Sequence, residues 1–321
     1  MPNISIITTT YQHADFIAQT IESVLGQTYS DWEMLIGDDS PDDATWDVIQ
    51  WYVAKYPTKI KARHHSPNKG IVDNMNFLIQ QCDSQSDFIS FLEGDDMYTA
   101  DNLMEKIKIF EKYPEVQLVY SDFQVIDTQS VEQRSRQIKF FAGLQHYTLE
   151  GLLDIGNPIQ SFGAVCMTQK AMKMLYPLST PTDNTAMFGP LDYRTWTRIL
   201  PHIASYGLNQ KLLHYRKHHD NFTKKVTLFN QQLEVIYRYY IQRESKNLTL
   251  VALCQRYIIT NHVIGNMFAH TSSFIYLYHN KNNISPKLLC KLIVYSTVWL
   301  FPSKVFDHML QVFQSLKYRH A

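Results

Sequence analysis

Apolar and polar positions along the first two hundred residues alternate between two periods. Ile4–Thr9 is β-branched almost throughout and reads as a buried strand. Ala14–Leu25 follows with Phe16, Ile17, Ile21, Val24 and Leu25 at helical spacing. Trp32–Ile36 predicts a second strand that runs out into Asp38-Asp39-Ser40-Pro41. Asp42–Tyr56 predicts a helix closed by Pro57. The alternation continues with a strand at Ile60–Arg63, a helix at Gly70–Gln81 and a strand at Phe88–Leu92. A helix at Asp101–Lys112 and a strand at Val116–Tyr120 complete it.

A β-α-β-α order of this kind predicts an α/β fold whose central sheet is mainly parallel and covered on both faces. Ligands of such sheets bind beyond the carboxyl ends of the strands. Asp38 and Asp39 follow one strand, and Glu93-Gly94-Asp95-Asp96 follows another. Two acidic clusters are therefore expected at one edge. From about Thr148 the pattern turns irregular, with Gly151, Gly156, Pro158, Gly163, Pro177, Pro181, Gly189 and Pro190. Loops and short helices around an acceptor site are expected there. From about Val226 the chain reads as helical, which divides it into a domain over 1–225 and a helical C-terminal extension over 226–321.

Composition narrows the class without naming it. Hydrophobic residues make up 45% and charged residues 19%, which suits a folded globular chain. The formal net charge of zero gives no reason to expect a nucleic-acid partner. The charge is unevenly placed. The first sixty residues hold nine acids and two bases, whereas the stretch from Lys281 onward holds six bases and one acid, Asp307. Cys82, Cys166, Cys254 and Cys290 form no metal or redox spacing and read as reduced, packed thiols of a cytosolic protein. No Lys or Arg precedes Lys55, and Thr8, Thr9 and Thr10 break the first apolar run, so no secretory leader is expected.

Carboxylates at a strand end, with a glycine allowing a tight turn, suit a hard divalent cation that keeps waters and substrate phosphates in its shell. Read alone, Glu93-Gly94-Asp95-Asp96 is equally a solvated acidic turn. Ser40 or Asp42 could cap the following helix, with Asp43 favoured by its dipole. That role leaves Asp38 and Asp39 unexplained, and a carboxylate there could accept from a base N–H or ribose hydroxyls. His64 and His65 end a predicted strand and read as partly exposed and idle. Aromatic residues near Phe162 and Phe188 are candidates to stack on a sugar.

Four segments in order carry a family resemblance. ISIITTTYQHADFIAQTIESVLGQTYSDWEMLIGDDSPDD, from Ile4, resembles the opening of inverting glycosyltransferases of the family-2 type, whose nucleotide-binding fold is called GT-A. NKGIVDNMNFLIQQCDSQSDFISFLEGDDMY, ending at Tyr98, is similar to the segment leading into their D-x-D motif. LDYRTWTRI, Leu191 to Ile199, resembles the segment with the catalytic carboxylate, and YRKHHDNFT, from Tyr215, resembles the closing motif. The resemblance implies that Thr8, Thr10 and Tyr11 contact the nucleotide and that Asp39 recognises its base. It places Asp95 near ribose and metal, Asp96 as principal ligand of Mn²⁺ or Mg²⁺, His218 by the metal and diphosphate, and Asp192 as general base. Glu93 stands where the family often has Asp. Met75 stands where many members carry arginine, so positive charge is expected from Lys69, Arg194, Arg216 or the metal.

These expectations combine into a metal-dependent inverting transfer of sugar from a nucleoside diphosphate, a UDP-sugar favoured, to a hydroxyl acceptor. The acceptor class implied is a glycan or lipid-linked glycan in cell-surface polysaccharide synthesis. The expected location is cytoplasmic, with peripheral contact to the inner face of the membrane. Leu288–Phe301, with Lys287, Lys291, Lys304 and Lys317 on or near it, fits either a buried helix or an interfacial one, and is too short to span. The alternative function is a scaffold that keeps the fold without turnover. A nucleotidyltransferase would want a glycine-rich, basic phosphate loop, and TTTYQHADF has neither feature.

Overall fold

The computed structural model describes residues 4–133, 140–178, 191–218 and 236–244, with 246, 247, 250, 251, 253 and 254 beyond them. The chain divides into two compact units, Met1–Gln232 and Leu233–Ala321.

The first unit opens with β1 (Ile4–Thr10), α1 (Ile17–Leu25), β2 (Trp32–Asp38), α2 (Ala44–Lys55), β3 (Ile60–His64), α3 (Ile71–Gln81) and β4 (Phe88–Phe91). It continues through β5 (Met97–Tyr98), α4 (Asn102–Lys112), β6 (Val116–Ile126), β7 (Gly143–Gln145) and α5 (Leu149–Ile155). The last elements are β8 (Val165–Thr168), α6 (Gln169–Leu175), α7 (Leu191–Ile199) and β9 (Ala204–Arg216).

One sheet runs in the order β3-β2-β1-β4-β8-β6-β9-β5, with β7 also paired to β9. The strands β3, β2, β1 and β4 are parallel, as the alternation predicts. β8 then enters antiparallel between β4 and β6, and β5 and β7 lie antiparallel on β9. The whole sheet is therefore mixed. β8, β9 and the far half of β6 lie where only loops and short helices, or a shorter strand, are expected. Their physical signal is weak: β8 is four residues long, and the β6–β9 pairing shifts register between Val116 and Leu118 and around Asp122.

Both faces of the sheet are covered, and the period-two alternation of side chains decides which face each residue joins. Ile4, Ile6, Met34 and Ile36 pack with Ile17, Ile21, Val24, Ile49, Leu103 and Ile107. Ile7, Leu35, Ile89 and Phe91 pack on the other side with Val72, Met75, Leu78, Met172 and Trp196. Each fully buried isoleucine or leucine contributes roughly 1.5–3 kcal/mol. Burial on both faces leaves every residue of β1, β2 and β4 buried. Met75 and Phe162 belong to this second core, so Phe162 is a packing residue and not a sugar platform. Phe188, Gly189 and Pro190 lie outside the described residues.

In the second unit, 236–243 is helical, and Ile236, Tyr237, Tyr240, Leu250 and Cys254 are buried. The segments Leu288–Phe301 and Ser285–Ala321 lie outside the described residues. Among the described residues no helix is long and apolar enough to cross a membrane.

Candidate active site

The site forms where four chain segments leave the sheet at one edge. β1, β2 and β4 are parallel, and β9 is parallel to β6, which β8 joins antiparallel to β4. The carboxyl ends of β1, β2, β4 and β9 therefore coincide. They carry Thr8 to Tyr11, Asp38 and Asp39, Glu93 to Asp96, and Arg216 to His218.

The acidic turn is held from both sides. Leu92 N–H donates to the Ile7 carbonyl at 2.9 Å and Gly94 N–H to the Thr9 carbonyl at 3.0 Å, extending the β1–β4 ladder into the turn. Thr20 Oγ1 on α1 stands 3.0 Å from the Gly94 carbonyl and 2.8 Å from that of Asp96. A side chain at Gly94 would meet Thr10 Cβ at 2.5 Å, so glycine is required by close approach of the two loops. On the other side, β5 pairs antiparallel with β9, Met97 opposite His214. Carried back along the chain, that register sets Asp96 against Tyr215 and Asp95 against Arg216.

Arg216 is the clamp. It is 0% exposed. Its backbone N–H donates to Asp96 Oδ1 at 2.8 Å and its Nε to the Asp95 carbonyl at 2.8 Å. Its other guanidinium nitrogens reach the Asp127 carbonyl at 3.0 Å, Ser130 Oγ at 3.1 Å and Gln19 Oε1 at 2.7 Å. The Phe16 ring lies 4.9 Å away across the guanidinium face. This fork is engaged in protein contacts and holds the turn in place.

His218 Nε2 lies 2.9 Å from Asp95 Oδ2, and His13 joins them. One ligand atom from each of His13, Asp95 and His218 lies within 4.8 Å of the others. Asp96 follows Asp95 in the turn. Its Oδ1 receives the Arg216 N–H, and its Oδ2 is buried with no hydrogen-bond partner. His13 is the residue that sequence reasoning missed. Its signal was its place in TYQHADF, on the strand-to-helix loop at the ligand-binding edge.

The electrostatics of the turn are strained. Burial, and then the charges of Asp95 and Glu93, push the Asp96 carboxyl well above its usual range against the pull of Arg216. Burial and the Asp95 charge push Glu93 to about 7, with a smaller push from Asp192. Burial also acts on Asp95, but the His218 hydrogen bond and the His13 charge outweigh it and hold its carboxyl low. Three carboxylates share one half-buried turn, a setting that a cation relieves. Two imidazoles and a carboxylate are a donor set that fits a divalent metal, and the neighbouring residue Asp96 keeps its buried Oδ2 without a hydrogen-bond partner.

Asp192 sits in the first turn of α7. Its Oδ1 accepts from Tyr193 N–H at 2.8 Å and its Oδ2 from Asn157 Nδ2 at 2.7 Å. Burial pushes its carboxyl up to about 6. Glu93 Oε2 accepts from Gly163 N–H at 3.0 Å, which joins the acidic turn to the loop before β8.

Asp38 and Asp39 are buried at the end of β2. Asp38 Oδ1 accepts from the Ser40 hydroxyl at 2.5 Å, while Asp38 Oδ2 has no hydrogen-bond partner. Asp39 Oδ1 accepts from Lys69 N–H at 3.1 Å, and its carbonyl accepts from Asn68 Nδ2 at 2.9 Å. Asp42 Oδ1 accepts from Ala44 N–H at the start of α2. Thr8 and Thr10 are buried, their hydroxyls without hydrogen-bond partners, and Tyr11 is 47% exposed on the loop. His65, expected to be partly exposed, is buried against Asn74 and the edge of Phe77. His64 Nε2 lies 3.0 Å from the Ser40 carbonyl. Cys82, Cys166 and Cys254 carry free thiols.

A nucleotide-type α/β sheet with a D-x-D-like turn, a histidine after its last strand and a carboxylate at a helix start defines a class that sequence comparison identifies. The family model of glycosyl transferase family 2 matches residues 5–175, more than half of the chain, and the chain belongs to that family. It is a glycosyltransferase, and its first unit has the GT-A fold. EpsE of Bacillus subtilis strain 168, named as a glycosyltransferase, is 26% identical over 70% of this chain and 76% of its own length. The Escherichia coli UDP-Glc:alpha-D-GlcNAc-diphosphoundecaprenol beta-1,3-glucosyltransferase WfgD is 28% identical over 61% of this chain and 69% of its own. Staphylococcus aureus TarS 1-349, solved with UDP-GlcNAc, superposes with a TM-score of 0.61 at 15% identity. It covers 84% of this chain and 76% of its own.

Proposed function

We propose that this enzyme is a metal-dependent, inverting glycosyltransferase that takes a nucleoside-diphosphate sugar, a UDP-sugar favoured, and transfers the sugar to a glycan or lipid-linked glycan. The single observation that carries the reading is the convergence of Asp95, His218 and His13 at the carboxyl edge of the sheet. A divalent cation there would neutralise the charge that builds on the departing diphosphate. Asp95 and His218 would hold it, with Asp96 supplying its buried, unpartnered Oδ2. Thr10, Tyr11 and Asp39 would line the nucleotide, Asp39 receiving a base or ribose donor.

Asp192 acts as the general base in this reading. Its two protein hydrogen bonds fix the carboxylate, and its place at a helix start favours the ionised form needed to accept a proton. Taking the proton from an acceptor hydroxyl lets that oxygen attack the anomeric carbon opposite the leaving group, which inverts the centre. A UDP donor and a lipid-diphosphate acceptor are named for WfgD, and that supports the same classes here. Cell-surface polysaccharide synthesis is the setting these acceptors imply.

The division of labour belongs to the proposal: catalysis in 1–225, and in 226–321 a helical extension whose basic residues meet anionic lipid on the inner face of the cytoplasmic membrane. The deciding experiment is a screen of nucleotide sugars for binding and hydrolysis with Mn²⁺, Mg²⁺ and chelator. A metal-dependent signal with one donor is expected. Donor turnover undiminished by chelator overturns the metal assignment. Salt-sensitive binding to anionic vesicles is expected of the full chain, and indifference to them at low salt removes the membrane element.

A further inference from the structure

We propose that His13 is itself a metal ligand, and that the resulting pair of imidazoles with one carboxylate selects Mn²⁺ over Mg²⁺. The inference rests on the metal-dependent reading above and specifies its donor set.

Three distant segments bring the ligands together. His13 comes from the β1–α1 loop, Asp95 from the turn after β4, and His218 from the residues after β9. Their ligand atoms lie within 4.8 Å of one another. Two ligands on one small divalent ion stand at most about 4.2 Å apart, given bonds of about 2.1 Å. Adjacent ligands on such an ion stand about 3.0 Å apart, so closure onto an ion draws the more distant of the three inward.

His13 is held in place by its surroundings. Its carbonyl accepts from Phe16 N–H at 2.9 Å and Ile17 N–H at 2.8 Å, which makes it the anchor of the first turn of α1. Gln12 before it takes a left-handed conformation, φ 56°, which turns the chain toward the acidic loop. Its Nδ1 lies 3.1 Å from where a Cβ on Gly94 would be, so the ring is seated directly on the turn that carries Asp95. The His218 ring stands 6.0 Å away, edge to face. These contacts position the ring before any ion arrives, and preorganisation of this kind lowers the cost of binding.

The choice of metal follows from the donor atoms. Mg²⁺ takes oxygen ligands in near-ideal octahedral geometry and dehydrates reluctantly. Imidazole suits later divalent metals, while carboxylate, phosphate and water oxygens suit Mg²⁺ and Mn²⁺ alike. A site with two imidazoles beside a carboxylate and a nucleotide's phosphates is therefore poorer for Mg²⁺ than for Mn²⁺. Packing against Phe16, at 6.4 Å between ring centroids, is the competing explanation for His13.

The test is electron paramagnetic resonance of Mn²⁺ on the full-length protein, with and without UDP, together with displacement by Mg²⁺. Wild type should show nitrogen couplings from two imidazoles and require an excess of Mg²⁺ over Mn²⁺ for displacement. His13→Ala should lose one coupling and about tenfold or more in Mn²⁺ affinity. His13→Asp, which offers oxygen instead, should narrow the Mn²⁺ preference. Unchanged couplings and affinity in His13→Ala overturn the assignment. If that variant does not fold, the count in wild type decides, and a single imidazole overturns it as well. Absence of Mn²⁺ binding by wild type in both conditions removes the broader metal reading instead.

Discussion

His218 Nε2 stands 2.9 Å from Asp95 Oδ2 across 123 positions of chain. The contact exists because β5 follows directly from the acidic turn and pairs antiparallel with the end of β9. Asp95→Asn keeps the size and removes the charge. It should abolish metal-dependent donor binding and slow turnover by at least about 10²-fold, the scale of losing one electrostatic stabiliser. Titration of donor with and without Mn²⁺ checks this, and equal affinity in all four combinations counts against it.

Asp192→Asn should leave donor binding and melting temperature nearly unchanged while slowing transfer by about 10²–10⁴-fold. The wild-type rate should also carry the titration of this carboxyl, raised by burial to about 6. A base works only when ionised, so kcat/KM should fall as pH drops through about 6 and level off above it. Near-normal transfer by the Asn variant would turn attention to Glu93.

Gly94→Ala places a methyl group 2.5 Å from Thr10 Cβ and 3.1 Å from His13 Nδ1. Neither neighbour is the far end of a flexible chain, so the β1–α1 loop and the acidic turn must separate. Overpacking of this kind costs about 1–3 kcal/mol. The variant should fold with a lower melting temperature and weakened Mn²⁺ binding. Wild-type metal affinity in a folded Ala variant would show that the two loops are not packed as described.

Arg216→Ala should be the most damaging of these changes to stability. It leaves the Asp95, Asp127 and Thr128 carbonyls and the Asp96 carboxylate without a buried cation. Breaking a buried charged network costs about 3–5 kcal/mol. Arg216→Lys keeps the charge but not the fork, so it should recover only part of the loss. Urea midpoints for the three proteins give the ordering, and equal midpoints for Arg216→Ala and wild type would refute the clamp.

The alternation of Ile4–Thr10, Ile17–Leu25, Trp32–Asp38 and their successors was written in local periodicity, because each strand or helix must present an apolar face to the same core. That alone set Asp39 and Asp95 at one edge, since parallel strands end together. α1 begins at Ile17, three residues past the expected Ala14, because the His13 carbonyl caps its first turn and Gln12 turns the chain before it. β9 had no clean period to announce it: its pairing with β6 passes through irregular register, and its partners β5 and β7 are two and three residues long. Only that long-range pairing delivers His218 to Asp95 and turns Asp96 toward the Arg216 backbone. Which carboxylate of a two-aspartate turn faces a ligand depends on the backbone that takes the other. That backbone lies 120 residues away along the chain, beyond the reach of any local pattern.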